Sequence, residues 1–347
     1  MISGQDKQEK FLVNVWLSPN KDLASVRAVS RPILVSRQRL KKFLEQYRLG
    51  RLISYRRFTK GFANIVLRLQ TSQGIFILKI IGRNNPERVR YEVDLLNFIK
   101  GLPTPRPVKA TNGQYIVQYN KTYKAFLYKY LPGQQRSVFN NQMLGQVGEF
   151  LGKLHQQTKL YRPNVNRIEL YNLSQQSLPR VIRICRRVRD KQVRKWIDYI
   201  EQEIPKYFLP KSLPQGGMHI DVKPENTFFN KNRLTGVVDF DNSYNGPLLL
   251  DLANTMMWFC SKRGQLDTKK TLTIFRGYQR ARKNSGQEKK FLFEAIHFVT
   301  LSHILVDFYF FALKALPISY IRWSIGNLLK AEKNLKLSKG AFTLMYK

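Results

Sequence analysis

The spacing of apolar residues changes period along this chain, and each change marks an element. Residues 1–34 hold no sustained period and carry the basic, acid-poor run "VRAVSRP", so a flexible N-terminal extension is the expectation there. "SRQRLKKFLEQYRLG" then reads as a short helix. Ser36 can cap it, Leu40, Phe43, Leu44 and Tyr47 recur at helical spacing, and Gly50 follows its end. "LISYRRF", "NIVLRLQ" and "GIFILKII" are rich in Ile, Val, Phe and Tyr with partial alternation and predict strands, the last two joined by the turn "TSQG". "PERVRYEVDLLNFIKG" predicts a helix, with Pro86 near its first position and Gly101 beyond its end. Two further strands, "GQYIVQYN" and "KAFLYKYL", complete a small antiparallel sheet with one helix on it.

From Phe139 to about Tyr207 the period is helical. "NQMLGQVGEFLGKLHQQ" places Met143, Val147, Phe150, Leu151 and Leu154 on one face. "PRVIRICRRVRDKQVRKWIDYI" reads as one amphipathic helix with eight basic residues and one acid between Arg180 and Lys195. That face is either solvated or an anion-binding surface. Beyond Asp241 the pattern is helical to the end. One late stretch, "AIHFVTLSHILVDFYFFALKAL", approaches the length of a membrane span but contains Asp307, His297, His303 and Lys314. Charge at bilayer depth costs several kcal/mol, so it reads as a buried core helix.

Composition changes this picture in one respect. Sixty basic residues against 23 acidic ones give a net charge of +37. Such a field favours polyanions, an anionic membrane face or phosphorylated small molecules, without choosing among them. No zinc-ligand spacing, RNP-like strand or helix-turn-helix signature supports sequence-specific nucleic-acid binding. Two cysteines, Cys185 and Cys260, suggest no disulfide framework and a reducing compartment, and the polar N-terminus has no secretory pattern.

Against that charge, "GGMHIDVKPENTFFNKNRLTGVVDFD" gathers three aspartates. Phosphoryl transfer needs a carboxylate to receive a hydroxyl proton, hard oxygen ligands for Mg²⁺ and a cation for the travelling phosphoryl group. Asp221 supplies the base, Lys223 the phosphate partner, and Asn226 and Asp239 the metal ligands. A hairpin turning at Asn230–Asn232 would bring Asn226 and Asp239 together across thirteen residues. Asp241 reads equally as a second metal contact and as a solvated loop charge. His219 reads as a structural bridge from the loop to backbone, and Asp251 as a helix cap that braces the loop.

H-x-D-x-K-P-x-N followed by a strand and D-F resembles the protein-kinase-like fold. The resemblance implies that Lys79 in "FILKII" contacts the α- and β-phosphates, with Glu92 in "RYEVDLL" as its partner. It implies a phosphate loop at "FTKGFANI", whose single glycine is Gly61. It also implies a hinge at "LYKYLPG", with Tyr128 and Tyr130, that clasps adenine between the lobes. The chain departs from protein kinases. D-F-D replaces D-F-G, "DLANTMMWF" begins ten residues after Asp241, and no A-P-E follows. About 85 mostly helical residues separate hinge and catalytic loop. These features resemble the aminoglycoside phosphotransferase and choline kinase superfamily, and within it the type II homoserine kinase-like group, over roughly residues 38–330.

The expected fold is therefore α+β and bilobal: an extension at 1–34, a small antiparallel-sheet N-lobe at 35–131, and a mainly helical C-lobe at 132–347. The expected protein is a cytoplasmic kinase that moves the γ-phosphoryl of ATP, with Mg²⁺, to a small-molecule hydroxyl. The acceptor implied is an amino alcohol such as homoserine, or an aminoglycoside- or choline-like compound, with residues 139–210 building its pocket. Two alternatives stand beside it. One is a kinase of a sugar in a lipopolysaccharide or other anionic glycan, working at the inner membrane face. The other is a catalytically weak scaffold that binds polyanions through its basic face.

Overall fold

The computed structural model describes residues 9–17, 27–58, 64–82, 86–163 and 173–335, and the chain divides into two compact units. The first is Met1–Asn97 with Pro105–Leu131; the second is Phe98–Thr104 with Pro132–Lys347.

In the first unit, β1 (Glu9–Leu17) pairs antiparallel with β2 (Arg27–Val35). The sequence predicts a flexible extension over these residues; the structure instead forms a ladder. Apolar residues make up more than half of both segments, but adjacent apolar positions hide the alternation that would have marked them as strands. Ile33 and Val35, two apart and on one face, are buried in the core of this unit. Ser36 caps α1 (Arg37–Leu44) by accepting the Arg39 N–H. A mixed-length sheet follows: β3 (Leu52–Phe58), β4 (Asn64–Thr71), β5 (Gly74–Ile81), β6 (Pro107–Val108), β7 (Val117–Gln118) and β8 (Lys124–Lys129). The order is β3-β4-β5-β8-β6, with β7 also on β8, and every pairing is antiparallel.

The expected strand "GQYIVQYN" shrinks to Val117–Gln118 because Gly113, at φ +81°, turns the chain and Asn112 accepts the Gln114 N–H. One face of the sheet buries Leu67, Leu69, Leu78 and Ile80 against Leu40, Phe43 and Leu44 of α1. On the other, Val89 and Val93 of α2 (Pro86–Phe98), one turn apart, pack on Phe126.

The second unit is mainly helical. Asn140 caps α3 (Asn141–Thr158). The basic segment read as one helix is two, α4 (Leu178–Cys185) and α5 (Lys191–Glu203). Asp190 breaks it: its carboxylate accepts the Gln192 and Val193 N–H groups and starts a new helix. β9 (Gln215–Met218) leads into the catalytic segment. The hairpin β10 (Thr227–Asn230) and β11 (Arg233–Val237) follows, and β12 (Tyr244–Pro247) pairs back on β9.

Then come α6 (Leu248–Cys260), the short pair β13 (Ser261–Lys262) and β14 (Gln265–Leu266), α7 (Thr268–Ala281), α8 (Gly286–Lys290) and α9 (Leu292–Ala312). α10 (Ile318–Ser324), a π turn at Ile325–Leu329 and α11 (Lys330–Leu335) end the described chain. The region after Asp241 is thus helical apart from three short strands that sequence periodicity is too coarse to resolve.

α9 is long and apolar enough to cross a membrane by length and composition, but 83% of its most apolar window is buried inside the protein. It is the core helix of this unit. α3 and α7 cross at backbone contact: a Cβ on Gly148 would stand 2.1 Å from the Ile274 carbonyl oxygen, and one on Gly277 2.2 Å from that of Gly145. Only glycine permits this approach, which seats His155 beside Tyr278.

Candidate active site

The β9–β12 ladder closes the ends of the catalytic segment, so everything between Met218 and Tyr244 is one tethered loop. Inside it, β10 and β11 form the expected hairpin, turned by Lys231 at φ +52°. The Val238 N–H donates to the Asn226 carbonyl at 2.9 Å, which joins the two ends of the hairpin and brings the Asp239 backbone beside Asn226.

Asp221 is buried, and three donors converge on one of its oxygens. Oδ2 accepts Lys223 Nζ at 2.9 Å, Asn226 Nδ2 at 3.3 Å and Asn242 Nδ2 at 3.4 Å. Oδ1 accepts no hydrogen bond among the described residues. Burial raises the Asp221 carboxyl above its ordinary value, although Lys223 opposes the shift. For Lys223 burial alone would lower the ammonium. Asp221, with Asp239 and Glu225, more than reverses that, so the lysine is held protonated. Asn226 also donates to the Asp221 carbonyl at 2.8 Å. Its amide nitrogen is thereby committed, and its Oδ1 accepts nothing among the described residues. Asp239 is exposed in the left-handed region at φ +68°.

An amide oxygen and an exposed carboxylate are hard donors that suit Mg²⁺. Among the described residues no cluster of three or more His, Cys, Asp or Glu could hold a metal. That is expected where substrate phosphates and water complete the coordination shell. Asp241 is buried, so it is not a solvated loop charge.

The loop backbone is strained and tightly held. Ile220 sits at φ +60°, a genuine outlier for a β-branched residue. Such strain, of order 1–3 kcal/mol, persists only where the surroundings over-determine it. Here the Asp251 carboxylate accepts the His219 N–H at 2.7 Å and the Ile220 N–H at 2.9 Å, and Asn254 Nδ2 donates to the Ile220 carbonyl. Asp251 also lies 3.1 Å from His155 Nε2, whose other nitrogen is 2.8 Å from the Tyr278 hydroxyl. Arg282 donates to that hydroxyl at 2.9 Å and pairs with Glu288 at 2.8 Å. Asp251 therefore braces the loop, as expected. It does not cap α6, whose N-cap is Pro247.

His219 is structural. Its Nδ1 accepts the Asp221 N–H at 3.2 Å, so the proton sits on Nε2 and donates to the Val238 carbonyl at 3.0 Å.

In the first unit, Lys79 of β5 and Glu92 of α2 are both buried and meet at 2.9 and 2.8 Å. Lys79 is thus an ion-paired cation rather than a strand lysine reaching for solvent. Tyr128 is half-buried in β8. The Tyr130 N–H is committed to the Ile75 carbonyl at 3.1 Å, and its ring lies 5.6 Å from the Arg68 guanidinium. A nucleotide contact from Tyr130 would therefore fall to its carbonyl or ring. Gly61 lies outside the described residues.

Sequence reasoning missed Asn242 and Asn254. Both are single amides in apolar or loop runs, with no spacing signal to set them apart. The arginines at 183, 186, 187 and 189 are exposed, as a solvated helix face would be, and Arg186 pairs with Glu201 at 2.5 Å.

Residues 54–283 match the model of the phosphotransferase enzyme family. A homoserine kinase of Rhizobium meliloti (strain 1021) is 27% identical over 262 residues, covering 73% of this chain and 78% of that enzyme. A homoserine kinase of Pseudomonas aeruginosa (strain LESB58) is 27% identical over 255 residues, covering 72% and 78%. Among solved structures, an amicoumacin kinase, hAmiN, in complex with AMP-PNP, Ca²⁺ and Ami superposes with TM-score 0.64 at 16% identity, covering 86% of this chain and 92% of that one. A spectinomycin phosphotransferase with ADP and spectinomycin gives 0.56 at 15% identity, covering 89% and 97%. The α+β, kinase-like fold is shared with these structures. With well over half its length matched by the family model, the chain belongs to the phosphotransferase enzyme family, as an ATP- and divalent-metal-dependent kinase of a small-molecule hydroxyl group.

Proposed function

We propose that the acceptor is an amino alcohol of the homoserine type and that Asp221 is the base that receives its hydroxyl proton. The observation that carries this is the asymmetry of the Asp221 carboxylate. Three donors hold Oδ2 and fix the group, while Oδ1 stays open to a hydroxyl. A raised pKa makes Asp221 a stronger base than a solvated aspartate. Lys223 stands beside it as the cation for the transferring phosphoryl group. Asn226 and Asp239 would hold the divalent ion, which when bound neutralises phosphate charge. Asp241, buried in the same turn, is the candidate for a further ligand. In the sheet unit, Lys79, oriented by Glu92, is the candidate contact for nucleotide phosphates. The choice of homoserine is supported by relatives of that name that align over most of both chains. The protein would work in the cytoplasm, where ATP is available.

A second reading, a sugar hydroxyl on an anionic glycan, draws on the charge of +37 and the exposed arginines of the α4–α5 segment.

The test is ADP release by purified protein with Mg-ATP and L-homoserine, with ³¹P NMR of the product. Asp221→Asn should lower kcat by roughly 10²–10⁴-fold while leaving ATP binding intact. The acid limb of the kcat/KM profile should have its midpoint above 3.8, the ordinary value for aspartate. ATP binding with no homoserine-dependent turnover would reject the acceptor. Turnover unchanged in Asp221→Asn would reject the base.

A further inference from the structure

A second cluster of buried chemistry adjoins Lys223, and the phosphoryl-transfer reading leaves it unused. Lys223 Nζ lies 5.2 Å from the centre of the Trp258 ring on α6. His303 of α9 meets that ring edge-on at 4.8 Å and 86°. One turn further along α9, Asp307 places Oδ1 at 3.8 Å from His303 Nε2, too far for a hydrogen bond. Ser324 of α10 donates to Asp307 Oδ2 at 2.8 Å. Trp323 stacks on Trp258 at 6.2 Å and 15°, and is 44% exposed, so one end of this aromatic pair reaches solvent while the other meets His303, the neighbour of the buried carboxylate. Directly after Ser324 the helix widens into a single π turn, with the Lys330 N–H bonded to the Ile325 carbonyl. Such turns are found frequently at functional sites.

The cluster is incomplete as a purely structural device. Asp307 is 4% exposed, and among the described residues no lysine or arginine is within ion-pair distance. Buried carboxylates are ordinarily paired with a cation. Lys223 is already matched by Asp221. Burial, with Lys223 nearby, holds His303 neutral by pushing it down to about 3, so it supplies no charge either. The same burial raises Asp307 to about 7. What would complete the cluster is a cation small enough to meet the open carboxylate oxygen.

Resting on the amino-alcohol reading above, we infer that Asp307, set between His303 and Ser324, is the recognition site for the primary ammonium of the acceptor. The ammonium donates to Asp307 Oδ1, and the hydroxyl end reaches toward Asp221, whose partner Lys223 flanks Trp258. Ser324 fixes the carboxylate from the other side. Asp307 is a specificity residue in this scheme and takes no part in the proton transfer.

The test compares L-homoserine with γ-hydroxybutyrate, which lacks only the amino group, in wild type and Asp307→Asn. Wild type should favour the amine in kcat/KM. Asp307→Asn should shrink that preference by roughly 30-fold, mostly through KM for the amine, with KM for ATP unchanged. Equal loss for both acceptors, or an unchanged preference, overturns the site. Tryptophan emission of the wild type, titrated without nucleotide, guards against a variant that fails to fold. It should saturate with L-homoserine and not with γ-hydroxybutyrate, and an equal response to both overturns the site. The two readings separate cleanly. An amine-selective emission change without phosphoryl transfer keeps the ammonium site and rejects the acceptor. Transfer to homoserine that is indifferent to Asp307→Asn does the reverse.

Discussion

Two buried polar clusters flank the catalytic loop, and they are built to opposite specifications. The cluster of Asp251, His155, Tyr278, Arg282 and Glu288 is closed: each group meets a partner, and it ends in an arginine–glutamate pair. The cluster of Trp258, His303 and Asp307 is open: its carboxylate has one hydroxyl donor and no cation among the described residues. A satisfied network holds geometry, here the strained Ile220 backbone. An unsatisfied one lowers stability and is retained where a ligand completes it. The contrast assigns positioning to the first and recognition to the second.

Breaking the closed cluster should have the largest effect. Asp251→Ala leaves two backbone N–H groups and His155 without their acceptor. It should cost roughly 3–5 kcal/mol in urea unfolding. A loss below about 1 kcal/mol would mean that the loop is held by something else.

The open cluster should respond with the opposite sign. Asp307 has a folded pKa of about 7, raised above 3.8 by burial, with Ser324 and Lys223 pulling it down and Asp221 pushing it up. The folded state therefore binds this proton more tightly than the unfolded chain. Its stabilising contribution is full below pH 3.8 and is lost as pH rises through about 7. Asp307→Asn removes that dependence. Relative to wild type the variant should gain stability between pH 4 and pH 8, by up to about 4 kcal/mol. A gap that stays constant with pH would show Asp307 to be ionised at no penalty. The smallest effect sharpens the comparison further: Ser324→Ala should cost about 1 kcal/mol near pH 7 and move the Asp307 titration upward.

The closed cluster's target was legible in the sequence and the open cluster was not. Asp221, Lys223, Asn226 and Asp239 stand in a short stretch whose order follows phosphoryl-transfer chemistry, and the strand–turn–strand pattern forecast the hairpin between them. Lys79 and Glu92 were legible because a strand and a helix carried them in a familiar order. His303 and Asp307 are one helical turn apart, yet they sit in a run so apolar that they read only as an argument against a membrane span. Their meaning depends on Trp258 and Ser324, which the chain brings in from two other helices. For the same reason the sequence pointed to residues 139–210 for the acceptor pocket, whereas the Asp307 cluster lies on α6, α9 and α10. β1 and β2 were illegible because adjacent apolar residues blur the two-residue period.

The glycine-lined crossing of α3 and α7 has a consequence for how the enzyme comes to exist. It joins His155 to Tyr278, 123 residues apart, and the whole catalytic segment lies in the intervening loop. Closing so long a loop costs entropy before any contact repays it, so this is a slow, non-local event in folding. Until it happens Asp251 has no aligned histidine behind it. A nascent chain released before α7 emerges would carry every residue of the catalytic motif and still lack the support that shapes it.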